Sequence, residues 1–212
     1  MTRTALLVID MQNSFLHPQG ENFYPAAPEV LAPVQRLIAA ARAAGAVVVH
    51  VADRHRDGFE DFEQIRLPRH CVHGSHNAAF YEGFGPVGTA REILIEKRRY
   101  SAFFATDLGL FLREQGVGRV VICGVKTNVC VRATTQDAFA NGLQVVVARE
   151  ATNSNRAHLA EATLEDIDRV RTPCVHQGRA QYQQCLRATL LPRFAHHAHG
   201  EIGMHASDRV LR

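Results

Sequence analysis

Five short, continuous runs of aliphatic and β-branched residues recur along the chain, and nothing else limits its possible folds as strongly. They are ALLVI (5–9), VVVHV (47–51), EILIE (92–96), RVVIC (119–123) and LQVVVA (143–148). A strand with one wet face would alternate apolar and polar residues, and these runs do not. They predict strands covered on both faces, which is the condition of a parallel sheet. The segments between them have helical character. An Ala-rich helix is expected at roughly 29–44, ended by Gly45 in the C′ position. Thr106 with Asp107 reads as the N-cap of a helix that closes at Gly116. Another is expected from near Asn128 to Asn141-Gly142, and one around 156–168 before a short last strand near 170–175. The expected fold is α/β: a three-layer α/β/α sandwich around a mostly parallel sheet of about six strands.

A chain of 212 residues suffices for one ample domain that folds without disulfide or metal. The expected division is a domain over 1–177 and a C-terminal helix and tail over 178–212. Apolar content of 46% is ordinary, and a net charge of +3 with dispersed arginines gives no nucleic-acid footprint. No stretch approaches the ~20 apolar residues of a membrane span. The first apolar run is too short for a signal peptide, and the five cysteines (71, 123, 130, 174, 185) lack paired spacing. Reduced thiols and a cytoplasmic location are expected, with no nucleic-acid or membrane partner and with assembly into a homo-oligomer.

Ligands of open α/β sheets bind beyond the carboxyl ends of the strands. Three reactive side chains fall there: Asp10 after the first run, Lys97 after the third, and Cys130 in the turn after the fourth. Together they read as a nucleophile with acid/base partners. A thiol in the first turn of a helix feels the positive end of the helix dipole, which favours the thiolate.

The motifs VIDMQNSF (8–15), KRRYSAFFATDL (97–108) and ICGVKTNVCVRATTQDAFANG (122–142) resemble the isochorismatase-like cysteine hydrolases, a Rossmann-like family that includes nicotinamidases and related amidohydrolases. The resemblance covers roughly residues 4–175. It implies a catalytic triad of Asp10, Lys97 and Cys130, a cis peptide between Val125 and Lys126, and an oxyanion hole from the backbone N–H groups of Lys126 and Cys130. Ser14 stands where many members have a second Asp. A further match, Asp53-Arg54-His55 followed by LPRHCVHGS (67–75), resembles the nicotinamidase metal site and implies Asp53, His55 and His70 as ligands. Two imidazoles and a carboxylate suit one divalent ion, Zn, Fe or Mn; no organic cofactor is implied. The stretch 56–61 has no further His, and Leu67 stands where a tryptophan often precedes this motif.

Phe15, Tyr100 and Phe103 are candidates for apolar walls of a substrate pocket. Arg98 and Arg99 read first as solvated or structurally paired, and with Lys126 they could supply charge for an anionic substrate. Cys71 reads as a core residue, and His73, His76 and the tail histidines 196, 197 and 199 as solvated. The expected function is a cysteine-dependent amidohydrolase that cleaves a small amide, carbamoyl or ureido compound through a thioester, releasing ammonia or amine. The alternatives are a nicotinamidase, a metal-centred hydrolase, and a non-catalytic binding module of the same fold.

Overall fold

Five strands lie parallel in one sheet of order β3-β2-β1-β4-β5. The computed structural model describes residues 3–169; the strand expected near 170–175 and the tail helix lie outside the described residues. The strands are β1 (Arg3–Ile9), β2 (Val47–Asp53), β3 (Glu92–Lys97), β4 (Val117–Val125) and β5 (Gln144–Asn153). The helices are the short α1 (Asn13–Leu16), then α2 (Leu31–Ala43), α3 (Leu108–Glu114), α4 (Arg132–Ala140) and α5 (Ala157–Arg169).

Successive residues of one run serve two cores, because side chains alternate across a strand. Leu6, Val8, Val48, Val121 and Cys123 pack with Val34, Leu37, Ile38 and Ala41 of α2. Leu7, Ile9, Val49, Val51 and Ile122 pack on the other face with Leu108 and Leu112 of α3, Ala138 of α4 and Leu164 and Ile167 of α5. Those three layers explain why the runs are continuous rather than alternating. Among the described residues no helix is long and apolar enough to cross a membrane.

Several element boundaries differ from those expected. Strand β2 runs on to Asp53 with all seven residues buried. Its polar members continue the strand because they find partners there: His50 Nε2 lies 3.1 Å from Glu92 Oε2, which Arg42 also binds. The first long helix is preceded by a 3₁₀ turn at Ala27–Val30 and starts at Leu31. Gly45 sits just after it at φ +63°, in the left-handed cap conformation. Thr106 Oγ1 accepts from Leu108 N at 3.3 Å, while Asp107 makes no side-chain cap bond. After β4 the helix opens near Asn128 as expected, as a π-helical turn at Thr127–Val131 that continues directly into α4 at Arg132.

The strand order reverses beside β1, whose neighbours β2 and β4 lead the chain away on opposite sides. That switch point opens a crevice beyond the carboxyl ends. The two central strands come very close there: a Cβ on Gly124 (φ +107°) would lie 2.0 Å from Ile9 O. Only glycine permits that approach.

Candidate active site

Asp10 follows β1, Lys97 ends β3, and Cys130 sits in the turn after β4, so the fold delivers all three to one place. Lys97 Nζ lies 3.0 Å from Asp10 Oδ2 and 3.5 Å from Cys130 Sγ. All three are buried, at 0%, 1% and 6% exposure for Asp10, Lys97 and Cys130. Asp10 adopts φ +52°, a left-handed conformation that aspartate tolerates better than most residues. The Val125–Lys126 peptide bond is cis.

Burial pushes the Asp10 carboxyl up to about 6, and Lys97 only partly offsets it. Burial opposes the charge of Lys97, yet Asp10 and Asp53 carry its pKa well above the ordinary value. Burial and then the Asp10 charge push the Cys130 thiol up, against the pull of Lys97. The expected thiolate is therefore corrected. Desolvation and the neighbouring Asp10 anion outweigh the pull of Lys97, so the balance favours the neutral thiol. Cys130 does lie where the helix opens, in the π-helical turn Thr127–Val131 that runs directly into α4. Neither Asp10 oxygen has an aligned hydrogen-bond donor among the described residues. A buried carboxylate with open lone pairs, titrating near 6, is suited to accept the thiol proton at neutral pH.

The MQN stretch, residues 11–13, builds the floor. Gln12, fully buried, donates through Nε2 to Asp53 O at 2.9 Å and to Ala78 O at 2.8 Å, and its Oε1 accepts from Asp53 N at 2.8 Å. It ties the end of β2 to the 54–91 loop region. Ser14 is buried and accepts from Asn22 Nδ2 at 3.1 Å.

Beside the triad stands a second cluster. Asp53, His55 and His70 converge, and Glu63 joins them, with one ligand atom of each lying within 4.8 Å of the others. Glu63 was not among the expected residues. It lies in a 3₁₀ turn (Phe62–Ile65) capped by Asp61, whose Oδ1 accepts from Glu63 N at 3.0 Å. The D-x-x at 61–63 is a short capping pattern, visible in the sequence but too common to single out.

The outer partners of the cluster prepare it for a cation. His55 Nδ1 meets Asp61 Oδ2 at 2.9 Å and His70 Nδ1 meets Pro68 O at 2.8 Å, leaving both Nε2 atoms facing inward. Such outer bonds fix the tautomer of a metal-binding imidazole. His55 Nε2 and Asp53 Oδ1 lie 3.3 Å apart but misaligned, and both are buried without a hydrogen bond. Burial opposes the charged form of His55, yet Asp53 and Asp61 hold it at about 9. Two imidazole nitrogens, two carboxylates and orphaned buried ligand atoms fit one divalent ion.

The remaining candidates are dispersed. Arg99 pairs with Asp61 at 2.9 Å and lies 3.9 Å from Glu63. Phe15 is buried in the α2-side core, Phe103 packs against the opposite core, and Tyr100 is 43% exposed. Burial, followed by the charges of Glu63 and Cys130, raises the Tyr100 phenol. Cys71 is buried, His73 and His76 are exposed, and His76 accepts from Asn13 Nδ2 through its backbone oxygen at 3.0 Å.

The Isochorismatase domain model matches residues 4–177. The chain is 37% identical to maleamate amidohydrolase of Pseudomonas putida over 174 residues, 78% of this chain and 79% of that protein. It is 32% identical over 184 residues to a probable inactive nicotinamidase of Arabidopsis thaliana, 82% of this chain and 93% of the relative. Among solved structures, the pyrazinamidase of Pyrococcus horikoshii in complex with zinc superposes with a TM-score of 0.71 at 33% identity, covering 79% of this chain and 95% of that one.

Proposed function

The chain belongs to the isochorismatase family, as a hydrolase of carbon–nitrogen bonds outside peptides, and from that premise we propose that it cleaves a small amide, carbamoyl or ureido compound through a Cys130 thioester. The observation that carries this reading is the buried trio, with Lys97 3.0 Å from Asp10 and 3.5 Å from Cys130.

Asp10 takes the thiol proton as Sγ attacks the carbonyl carbon. Lys97, cationic throughout, lowers the energy of the thiolate as it forms. The tetrahedral oxyanion is received by the backbone N–H groups of Lys126 and Cys130. Protonated Asp10 gives its proton to the leaving nitrogen, the C–N bond breaks, and ammonia or an amine departs. Water then loses a proton to Asp10 and attacks the thioester. The C–S bond breaks, Asp10 returns the proton to sulfur, and the product leaves as an acid. Asp53, His55, His70 and Glu63 would hold one divalent ion, which would supply Lewis-acid polarisation and orientation of the substrate.

The test is ammonia release from a panel of primary amides and N-carbamoyl compounds. Wild-type protein should turn over at least one, and a folded Cys130→Ala variant none. Activity that survives Cys130→Ala but is lost to a chelator would transfer the chemistry to the metal cluster. The nicotinamidase reading stays second. It is favoured by the metal cluster and the zinc-bound pyrazinamidase likeness, and weakened by Leu67.

A further inference from the structure

Where β5 ends, three successive residues, Thr152, Asn153 and Ser154, make side-chain bonds that the proposed chemistry does not use. Thr152 and Thr127 share a 2.8 Å hydrogen bond between their hydroxyls, and both residues are buried. Ser154, also buried, donates through Oγ to Asn128 Oδ1 at 2.5 Å and accepts from Arg156 N at 3.2 Å. Asn153 serves the other side. Its Nδ2 donates to Ala26 O, and its Oδ1 accepts from the Tyr24 hydroxyl at 2.7 Å. That alternation is the period of a strand. The pairing of β4 with β5 jumps from Ile122–Val147 to Gly124–Thr152 and Val125–Asn153. This irregularity brings the end of β5 back alongside the last residues of β4, level with the turn that carries Cys130.

Thr127 and Asn128 open that turn, Thr127–Val131, and lie between the proposed oxyanion donors at Lys126 and Cys130. The opening of the turn needs support from outside. The first N–H groups of a helix have no partner within it. Lys126, in the N-cap position, makes no side-chain cap bond, and π geometry is rare in helices. Side chains from β5 supply the support. Thr152 holds the residue after Lys126, and Ser154 holds the next one. Asn153, tied to Tyr24 and Ala26, braces the strip that carries them. A Val at 152 would keep the shape of the side chain but leave the Thr127 hydroxyl buried without its partner.

Resting on the amidohydrolase reading, we infer that Thr152 and Ser154 are positioning residues. Through Thr127 and Asn128 they fix the Lys126–Cys130 segment, so that Sγ meets Asp10 and Lys97 while the two backbone N–H groups meet the tetrahedral oxyanion. Neither contacts the reacting atoms. Their effect falls on the reacting geometry, where a misplacement of about 1 Å costs on the order of a hundredfold in rate, and not on ground-state binding. The Thr152–Thr127 bond carries the larger share, because both of its residues are buried, whereas Asn128 is half-buried and can turn to water.

The experiment measures turnover of the best amide of the panel above and, separately, alkylation of Cys130 by iodoacetamide, in wild type, Thr152→Val, Thr152→Ser and Thr127→Val. Thr152→Val should lower kcat about 10- to 100-fold with KM within about twofold of wild type, the mark of an interaction that matters in the transition state. Thr152→Ser, which keeps the hydroxyl, should recover most of that loss. The double variant Thr127→Val, Thr152→Val should be no slower than either single one, since the two residues share one bond. Alkylation of Cys130 at pH 7 should slow in Thr152→Val and recover in Thr152→Ser. A lower melting temperature with kcat and the alkylation rate unchanged would make the pair merely structural and overturn the inference, as would a loss confined to KM. Should Thr152→Val not fold, Ser154→Ala decides: kcat should fall about fivefold, as one hydrogen bond implies, and an unchanged kcat would overturn the inference. If wild type hydrolyses no amide, slower alkylation in the variants keeps the positioning and sinks only the hydrolase reading; an unchanged alkylation rate overturns the inference.

Discussion

Lys97 Nζ lies 3.8 Å from Asp53 Oδ1, so the cation of the proposed triad also borders the candidate metal-binding cluster. The two residues are paired neighbours in β2 and β3. One ammonium thus compensates two buried carboxylates, Asp10 and Asp53.

Replacing Lys97 by Met should therefore do more than stop turnover. It leaves two buried anions without their counter-charge, and removal of one partner of a buried pair costs about 3–5 kcal/mol. The pH dependence has a definite sign. Asp10 already titrates above its unfolded value, raised to about 6 by burial, and loses the lowering effect of Lys97. A carboxyl with a raised folded pKa penalises the fold when ionised, so the penalty is absent below the unfolded value near 4 and full above the folded one. Lys97→Met should regain stability as pH falls from 7 to 5. Thermal unfolding across that range checks it; a variant equally stable at both pH values would refute the shared-cation account.

In the wild type, Asp10 must be ionised to take the thiol proton. With its pKa raised to about 6 by burial, kcat/KM should fall about tenfold per unit below pH 6 and level off above it. The limb should vanish, with nearly all activity, in Asp10→Asn. A flat profile between pH 5 and 8 in a good substrate would remove Asp10 from the role of base.

The sequence was most legible where one residue type had one physical use. Continuous apolar runs meant buried parallel strands, and the strand ends led directly to Asp10, Lys97 and Cys130. The titration state of the site was not legible. A helix-dipole argument for Cys130 treats the thiol locally, whereas its protonation is set by burial and by Asp10, which is 120 residues away in the chain and adjacent in space. Glu63 escaped for a related reason. Its loop has no periodicity, and only the bonds that Asp61 makes to Glu63 N and His55 Nδ1 turn its side chain inward. Leu110 and Phe139 lie 53% and 60% exposed on their helices.

Asp61 touches none of the proposed reacting atoms, but it holds His55 at Nδ1, caps the turn that presents Glu63, and binds Arg99. Asp61→Ala frees the His55 ring to turn and unties Glu63. Loss of such an outer partner weakens metal binding about 10- to 100-fold. Competition with a chromophoric chelator against zinc reads this directly, independent of turnover. Unchanged affinity would show that the cluster is fixed by its ligands alone.

Leu67 governs the nicotinamide question. Its N–H bonds to Glu63 O at 3.1 Å, and the next residue, Pro68, orients His70 through its carbonyl, so position 67 flanks the metal cluster. Leucine there offers dispersion contact but no stacking face, and an aromatic pair is worth about 0.5–1.5 kcal/mol beyond its buried area. That converts to roughly a tenfold effect at most. Position 67 is 37% exposed, so a larger ring can be accommodated without displacing core atoms. Nicotinamide should be a poor substrate of the wild type compared with the N-carbamoyl compounds of the panel. Leu67→Trp should raise kcat/KM for nicotinamide several-fold, up to about tenfold, while leaving the best of those compounds within a factor of about two. Wild-type turnover of nicotinamide near 10⁵ M⁻¹s⁻¹, ordinary for a native substrate, with weaker turnover of the N-carbamoyl compounds, would restore the nicotinamidase reading and show that this chain holds a pyridine ring without an aromatic wall at that position.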